Sequence, residues 1–164
     1  MIFLCDYYNQ ASKDLAYSLQ AAGYDATTVV INPDGFLPQG ALSPFTYYVE
    51  AAEETGKPRF FNQVPVPDFW EISGNNQMAR VSNLTEERAR ITYPEGSKAR
   101  IVKSVEWLDK SGKIRQVDHY NKYGFCFAKT THDENGQAVF TSYQTKEGDE
   151  RKNLKVPRLT TRSI

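Results

Sequence analysis

The sequence has little cysteine and no excess of charge of either sign. Its 164 residues include two cysteines, Cys5 and Cys126, and its 20 basic residues balance 20 acidic ones. Neither cysteine lies in a CxxC or Cys/His arrangement, which predicts reduced, buried thiols, no metal site and no cofactor. A neutral chain has no long-range field that would attract nucleic acid. No apolar run approaches the ~20 residues that span a bilayer, and a basic signal-peptide start is missing, which predicts a soluble cytoplasmic protein.

The first third of the chain has the pattern of a strand–helix–strand unit. Apolar residues 2–5 predict a strand buried on both faces, and the β-branched run 27–31 predicts a second strand parallel to it. Between them, Asn9 or Ser12 can cap a helix that ends at Gly23, since glycine adopts a left-handed conformation without steric cost. The spacing is typical of a parallel crossover.

The turn between that first strand and its helix, DYYNQAS, contains no glycine. A phosphate-binding turn at this place needs glycine so that the backbone can approach the phosphate, so the sequence does not support nucleotide binding. Further on, Ser43 followed by Pro44 predicts a second helix over 44–55.

From residue 58 onward, short apolar runs alternate with turns, which predicts an antiparallel β-meander. Within it, glycine recurs every twelve residues, each time three positions after Asp, Asn or Thr. These positions are Asp109 and Gly112, Asn121 and Gly124, Asp133 and Gly136, and Thr145 and Gly148. Such pairs suit a type I turn closed by a residue at positive φ.

The predicted fold class is α+β, with a short βαβ, half Rossmann or GT-B-like unit over 1–57 and an extended antiparallel β-meander over 58–148. Residues 149–164 form an atypical basic tail, in which the twelve-residue spacing fails and which we expect to be poorly ordered. The last regular strand, about 138–143, would then be an unpaired edge that promotes self-association.

The turn spacing also predicts how the strands pair. Pairing about the turn at 121–124 places His119 opposite Cys126, and pairing about the turn at 109–112 places Glu106 opposite Arg115. One face would then carry Ile101, Val105, Trp107, Ile114, Tyr120, Phe125 and Phe127. The other would carry Glu106, Arg115, His119 and Cys126.

Each of these neighbouring pairs admits two interpretations. His119 beside Cys126 resembles a base and its nucleophile, but cross-strand pairing explains their closeness, and we favour a structural role. Trp107 and Tyr120 could stack on a sugar, yet cross-strand aromatic packing is favoured. Glu106 with Arg115 is most simply an ion pair, and no two acids converge as acid–base catalysis requires.

Several longer phrases resemble one known family. They include NPDGFLP, RFFNQVPVPDFWEISGNN, VEWLDKSGKIRQVDHYNKYG and GQAVFTSYQTKEG. Together, from residue 1 to about 150, they are similar to the stabilising, chaperone-like GtfB subunit of the accessory Sec glycosyltransferase pair. The resemblance implies the opening part of a GT-B-like chain, in which an extended antiparallel sheet interrupts a half Rossmann-type domain and grips a partner and an acceptor polypeptide.

The resemblance also implies a function. In that family a separate catalytic subunit transfers N-acetylglucosamine from UDP to serine and threonine of serine-rich repeat adhesins, and the stabilising subunit is inactive. We therefore expect a non-catalytic, truncated subunit with a catalytic glycosyltransferase and a serine-rich repeat polypeptide as partners, and peripheral membrane association through that complex. The candidate partner- and acceptor-binding residues are Glu106, Arg115, His119 and Tyr143.

Two other classes of function are possible on the sequence alone. One is a fragment of a GT-B glycosyltransferase with its own activity, which would need a donor-binding domain that this sequence does not display. The other is a tyrosine-rich β-repeat interaction module, which would need further repeats and an export signal.

Overall fold

In this computed structural model, residues 1–43 and 55–146 are described. They form a three-stranded sheet and a seven-stranded sheet. The predicted helix over 44–55 falls almost wholly outside the described residues, and so does the predicted basic tail.

The N-terminal unit contains strands β1 (Ile2–Cys5), β2 (Thr27–Val30) and β3 (Ala41–Leu42) and one helix, α1 (Gln10–Ala21). Its strands lie in the order β1–β2–β3, and both pairs are parallel. The predicted strand, helix and parallel strand are therefore all observed.

The start of α1 uses both residues that the sequence left as alternatives. The side chain of Asn9 accepts a hydrogen bond from the backbone N–H of Ser12 at 3.0 Å, and the Ser12 hydroxyl accepts one from the Asn9 N–H at 2.9 Å. This reciprocal capping box satisfies N–H groups that a helix start leaves free. Gly23, with φ +85°, follows the helix as predicted.

The first strand is not buried on both faces, and that expectation was wrong. Ile2 is 72% exposed and Leu4 is 59% exposed, whereas Phe3 and Cys5 on the other face are partly buried. A parallel sheet normally has a layer on each face. Here no described element covers the outer face of β1.

The larger sheet confirms the predicted meander, because its seven strands lie side by side in sequence order and every neighbouring pair is antiparallel. Its strands are β4 (Trp70–Gly74), β5 (Met78–Asn83), β6 (Glu86–Thr92), β7 (Ser104–Leu108), β8 (Ile114–Tyr120), β9 (Cys126–His132) and β10 (Ala138–Tyr143). A short 3₁₀ helix, Phe61–Gln63, precedes them.

Three of the four predicted glycine turns are present and share one geometry. The N–H of Gly112, Gly124 and Gly136 donates to the carbonyl three residues earlier, in each case at 3.0 Å. All three glycines have positive φ, between +75° and +86°. The fourth, at Gly148, lies outside the described residues.

Each of these three hairpins also contains one extra residue, three positions after its glycine, and this changes the predicted pairing. The unpaired residues are Arg115, Phe127 and Val139. Such bulges place two residues opposite one and keep the hairpin strongly twisted. The bulges therefore recur with the same twelve-residue period as the turns.

The bulges make two predicted cross-strand pairs wrong. Because Phe127 is skipped, Tyr120 pairs with Cys126, and His119 pairs with Ala128. Because Arg115 is skipped, Glu106 faces Val117 on β8. A prediction that counts outward from the turn without an extra residue cannot anticipate either result.

The two faces of the meander carry separate hydrophobic clusters. The larger cluster contains Val64, Ala79, Val81, Ala89, Ile91, Val102, Val105 and Tyr120, with Trp107 and Cys126 packed against it. The smaller contains Phe125, Phe127, Ala128 and Tyr143. Trp107 and Tyr120 share a face as predicted. Phe125 and Phe127 lie in the smaller cluster and Cys126 packs against the larger one, so the faces predicted for these three residues were wrong.

Candidate functional site

The N-terminal unit is attached to the large sheet at the turn between β8 and β9. Gly35 forms a parallel bridge with Asn121, and the Gly35 carbonyl accepts a hydrogen bond from the Lys122 N–H at 3.0 Å. Nearby, the Lys103 ammonium lies 3.3 Å from the Asp34 carboxylate. The Lys13 ammonium on α1 also lies 3.8 Å from the Glu95 carboxylate. Backbone hydrogen bonding and these two ion pairs therefore join the two units.

A cleft of about 490 Å³ lies between the two units, beyond the carboxyl ends of β1 and β2. Open α/β sheets usually bind ligands at this edge. Its lining includes Tyr7, Tyr8, Asn32 and Asp34 from the N-terminal unit and Lys103, Glu106 and His119 from the sheet.

His119 is the titratable group most affected by this environment. One ring nitrogen lies 2.9 Å from the hydroxyl oxygen of Thr130, which in turn contacts the Thr141 hydroxyl at 3.0 Å. Burial lowers the pKa of His119 to about 4, and Lys103 contributes in the same direction. The imidazole is therefore neutral near pH 7, so it can offer one donor and one acceptor but no charge.

Polar groups and aromatic rings alternate around the rest of the cleft. Glu106 lies opposite Arg90 on β6, while Ser104 and Thr92 share a hydrogen bond of 2.7 Å between their hydroxyls. Tyr7 is 64% exposed. An exposed ring, hydroxyls and a carboxylate suit a ligand that is largely uncharged and carries hydroxyl groups.

Of the four predicted binding residues, the structure brings two together. Glu106 and His119 both line the cleft. Arg115 instead donates from Nε to the Asp109 carboxylate at 2.9 Å, beside the first glycine turn. Tyr143 is 3% exposed and its ring packs on Phe127, with 6.5 Å between the ring centres.

Sequence reasoning missed the contributions of the N-terminal unit to this cleft. In the sequence, Tyr7 and Tyr8 stand out only as part of a turn that lacks glycine. Their position directly after a parallel strand was a usable signal, because side chains at that edge of a sheet face a ligand site. The contact of Asp34 with Lys103 has no signal in the local sequence.

His119 and Cys126 do not form a thiolate–imidazole pair. The two residues lie on opposite faces of the sheet, since Cys126 pairs with Tyr120 and packs in the larger cluster. Burial raises the pKa of the Cys126 thiol to about 12, and the Asp118 carboxylate adds to this shift. A protonated thiol is a poor nucleophile, which favours the structural interpretation.

The described residues hold neither a cluster of metal ligands nor a membrane-spanning helix. Over 1–43 and 55–146, no group of three His, Cys, Asp or Glu side chains could hold a metal ion. No helix within those same ranges has the length and apolar character needed to cross a bilayer.

Comparison with known proteins first defines the class of fold. One chain of the "Glycosylation Associate Protein (Gap123) complex from Streptococcus agalactiae" superposes with a TM-score of 0.60 over 94% of this chain and 36% of that one, at 15% identity. At this identity the likeness shows the fold alone. The chain thus has a fold found in a bacterial glycosylation complex.

The particular family follows from closer matches. The family model of the GtfB N-terminal domain matches residues 2–48, and that of the GtfB middle domain matches residues 70–156. The chain belongs to the GtfB family.

Relatives and solved structures agree with this assignment. The chain is 53% identical over 150 residues to the "UDP-N-acetylglucosamine--peptide N-acetylglucosaminyltransferase stabilizing protein GtfB" of Streptococcus pneumoniae, which covers 92% of this chain and 33% of that protein. It is 37% identical to the protein of that name from Limosilactobacillus reuteri, over 89% of this chain and 33% of that one. A chain of the "GtfA/B complex bound to UDP and GlcNAc" is 52% identical with a TM-score of 0.76, over 93% of this chain and 35% of that one. The chain thus spans about a third of the length of these relatives.

Proposed function

We infer that this chain is part of a non-catalytic stabilising and acceptor-recognition subunit, which acts with a catalytic glycosyltransferase to attach N-acetylglucosamine to serine-rich repeat adhesins. One observation carries the inference: 53% identity over 92% of this chain to a protein named as the stabilizing protein of a peptide N-acetylglucosaminyltransferase. Such a subunit would work in the cytoplasm and reach the membrane through its partner.

The domain assignment within that proposal follows the fold. We assign residues 1–57 to a half Rossmann, GT-B-like unit, 58–148 to the meander and 149–164 to an atypical tail. Support for the first comes from the parallel order β1–β2–β3 with α1 between the first two strands. Support for the second comes from the unbroken sequence order of the seven antiparallel strands.

A non-catalytic role is supported by the state of the groups that a nucleotide-sugar enzyme would use. The start of α1, where a phosphate would bind, is already capped by Asn9 and Ser12. Asp34 is paired with Lys103, and its side chain is 13% exposed. A donor would therefore have to displace existing hydrogen bonds.

The cleft is our proposed site for the acceptor polypeptide. Serine and threonine hydroxyls can donate to the Glu106 carboxylate and exchange hydrogen bonds with the neutral His119 imidazole. The exposed ring of Tyr7 offers an apolar surface to the backbone of an extended chain. Arg115 and Tyr143 would then support this site indirectly, the first by fixing a turn and the second by packing.

The proposal is tested by co-expressing the 164-residue chain with the catalytic transferase of the same genome and a serine-rich repeat substrate. We expect the chain to raise the yield of soluble transferase and the transfer of N-acetylglucosamine. The chain alone should release no UDP from UDP-N-acetylglucosamine. Release above a heat-inactivated control would instead show a transferase fragment with its own activity.

The acceptor site has a separate test. Glu106→Ala should weaken binding of a serine-rich repeat peptide about threefold to tenfold, because it removes a charged acceptor of hydrogen bonds. Glu134→Ala removes an equal charge from an exposed turn and serves as the control. Equal affinities for both variants would place the acceptor elsewhere.

A further inference from the structure

Two large apolar side chains project from one end of the meander. Phe69 is 94% exposed and Leu84 is 90% exposed, the highest values among the exposed large apolar residues of the described chain. We call these two residues the apolar tip. Single exposed apolar residues are common on protein surfaces, so exposure alone would not distinguish this pair.

The two residues of the apolar tip are neighbours in the sheet although they are far apart in sequence. Trp70 and Asn83 are partners in the β4–β5 pair. Phe69 immediately precedes Trp70, and Leu84 immediately follows Asn83. Both therefore lie just beyond the same pair, at the same end of two adjacent strands.

Phe69 occupies a backbone conformation that does not suit it. The Trp70 N–H donates to the Pro67 carbonyl at 3.2 Å, which closes a four-residue turn with Phe69 at its third position. The φ of Phe69 is +68°. A positive φ at the third position is typical of a type II turn, where glycine or asparagine is the usual residue.

Leu84 shows the same mismatch. It begins the two-residue loop between Asn83 and Glu86, which are partners in the β5–β6 pair. Its φ is +55°. Two-residue hairpin loops normally place glycine, asparagine or aspartate at such a position, because a side chain with a Cβ is strained there.

Both positions thus keep a large apolar residue where a small or polar one would be more stable. Their exposure leaves almost no packing contact that could offset the strain. Backbone strain that is retained at an exposed apolar residue points to a role in binding. That the same mismatch occurs twice, side by side, makes the two residues one surface.

The charges around the apolar tip indicate what it contacts. Asp68 precedes Phe69, Glu71 follows Trp70, and Glu86 ends the loop that Leu84 begins. Arg88 forms an ion pair with Glu86 and lies 6.0 Å from the centre of the Trp70 ring, so three carboxylates and one guanidinium leave a net negative, acidic rim. This acidic rim would be repelled by an anionic membrane surface and by the same rim on a second copy of the chain. It is complementary to a basic rim.

We propose that the apolar tip docks into an apolar pocket with a basic rim on a folded protein partner. Phe69 and Leu84 fill the pocket, and the acidic rim orients the two proteins and accelerates their association. Taking the catalytic transferase as that partner rests on the proposed function.

The test is a double variant that removes the apolar surface without harming the fold. Phe69→Asn together with Leu84→Asn places a residue that tolerates positive φ at each strained position. Its thermal midpoint should therefore equal or exceed that of the wild type. Its affinity for the purified transferase should fall about tenfold or more, the size typical of buried aromatic and aliphatic anchors.

A matched control and a charge variant make the experiment specific. Tyr24→Asn removes another exposed aromatic ring, 56% exposed, from the N-terminal unit and should leave the affinity unchanged. Asp68→Asn with Glu71→Gln should slow association and reduce its dependence on salt, with a smaller effect on dissociation.

Each other outcome overturns the proposal in an identifiable way. If the wild-type chain binds the transferase and the double variant binds equally well, the tip is not the docking surface while the proposed function stands. If the wild type does not bind at all, the proposed function fails together with this choice of partner. Wild-type self-association that the double variant loses would identify a second copy as the occupant. Co-sedimentation with phosphatidylserine vesicles that the double variant loses would identify a membrane.

Discussion

The backbone of Gly35 lies against the backbone of Asn121, and this contact joins the N-terminal unit to the meander. An added Cβ at position 35 would overlap the Asn121 Cα and lie 2.5 Å from the carbonyl oxygen of Tyr120. Both neighbours are main-chain atoms that cannot rotate away. The cleft between the two units lies beside this contact, so its width depends on how closely the two backbones approach.

We therefore expect Gly35→Ala to destabilise the chain by about 1–3 kcal/mol, the usual cost of overpacking. Hydrogen exchange should also show faster opening at the β8–β9 turn. The control is Gly40→Ala, where nothing lies within 4 Å and only the positive φ of +92° causes strain. Unchanged exchange at the β8–β9 turn in Gly35→Ala would contradict the role of this contact.

Asn121 itself should tolerate substitution poorly. It is completely buried, and its side-chain oxygen accepts hydrogen bonds from the N–H groups of Tyr123 at 3.1 Å and Phe125 at 3.3 Å. Asn121→Ala leaves these donors without that acceptor, and we expect a loss of about 2–3 kcal/mol in urea denaturation. Asp133→Ala, at the equivalent position of the next turn, should cost less because water can replace the lost acceptor there. Equal losses of unfolding free energy in the two variants would show that the burial of Asn121 does not add to its contribution.

Trp107 should contribute through both packing and a hydrogen bond. Its ring packs against the larger cluster, and its indole N–H donates to the buried Asp118 carboxylate at 2.7 Å. Trp107→Ala should destabilise by about 3–5 kcal/mol. Trp107→Phe keeps an aromatic ring and removes the donor, so it should cost about 1–2 kcal/mol. A loss near zero for the alanine variant, measured by chemical denaturation, would show that the ring is dispensable for packing.

His119 should make stability depend on pH below neutrality. Its pKa is lowered to about 4 in the folded chain, whereas an unfolded chain has a value near 6.5. The unfolded state therefore binds the proton first as pH falls. The stabilisation by neutral His119 is complete above about pH 6.5, is lost progressively down to about pH 4, and amounts to about 3 kcal/mol.

His119→Gln provides the control for this pH effect, because glutamine keeps a hydrogen-bonding group beside Thr130 but does not titrate. The difference between the wild-type and variant stability curves isolates His119 from the carboxylates that titrate at lower pH. A difference that stays constant between pH 7 and pH 4 would contradict a lowered pKa.

Local sequence determined most of the elements of this chain. The capped helix after β1, the parallel pair of strands and the seven-stranded meander follow from short-range features, namely capping residues, β-branched runs and turn glycines. The turns at Gly112, Gly124 and Gly136 were predictable because a positive φ at a fixed place in a hairpin selects glycine. The turn position held by Asn121 is occupied by Asp109 and Asp133 in the neighbouring turns. Only the structure explains this difference, because Asn121 is fully buried and a neutral amide is buried at lower cost than a carboxylate.

Tertiary structure decided the pairing and the site. The bulge at Phe127 in the β8–β9 hairpin places Cys126 on the face of Trp107 and Phe127 on the other face. An extra residue has this effect because it shifts the pairing register by one position, and a shift of one position exchanges the two faces. The cleft depends on the contact of Gly35 with Asn121, residues that are distant in sequence and have no common local signal. Hydrogen bonds within a hairpin are encoded by neighbouring residues, whereas the approach of two separate units depends on the shape of both surfaces once each has folded.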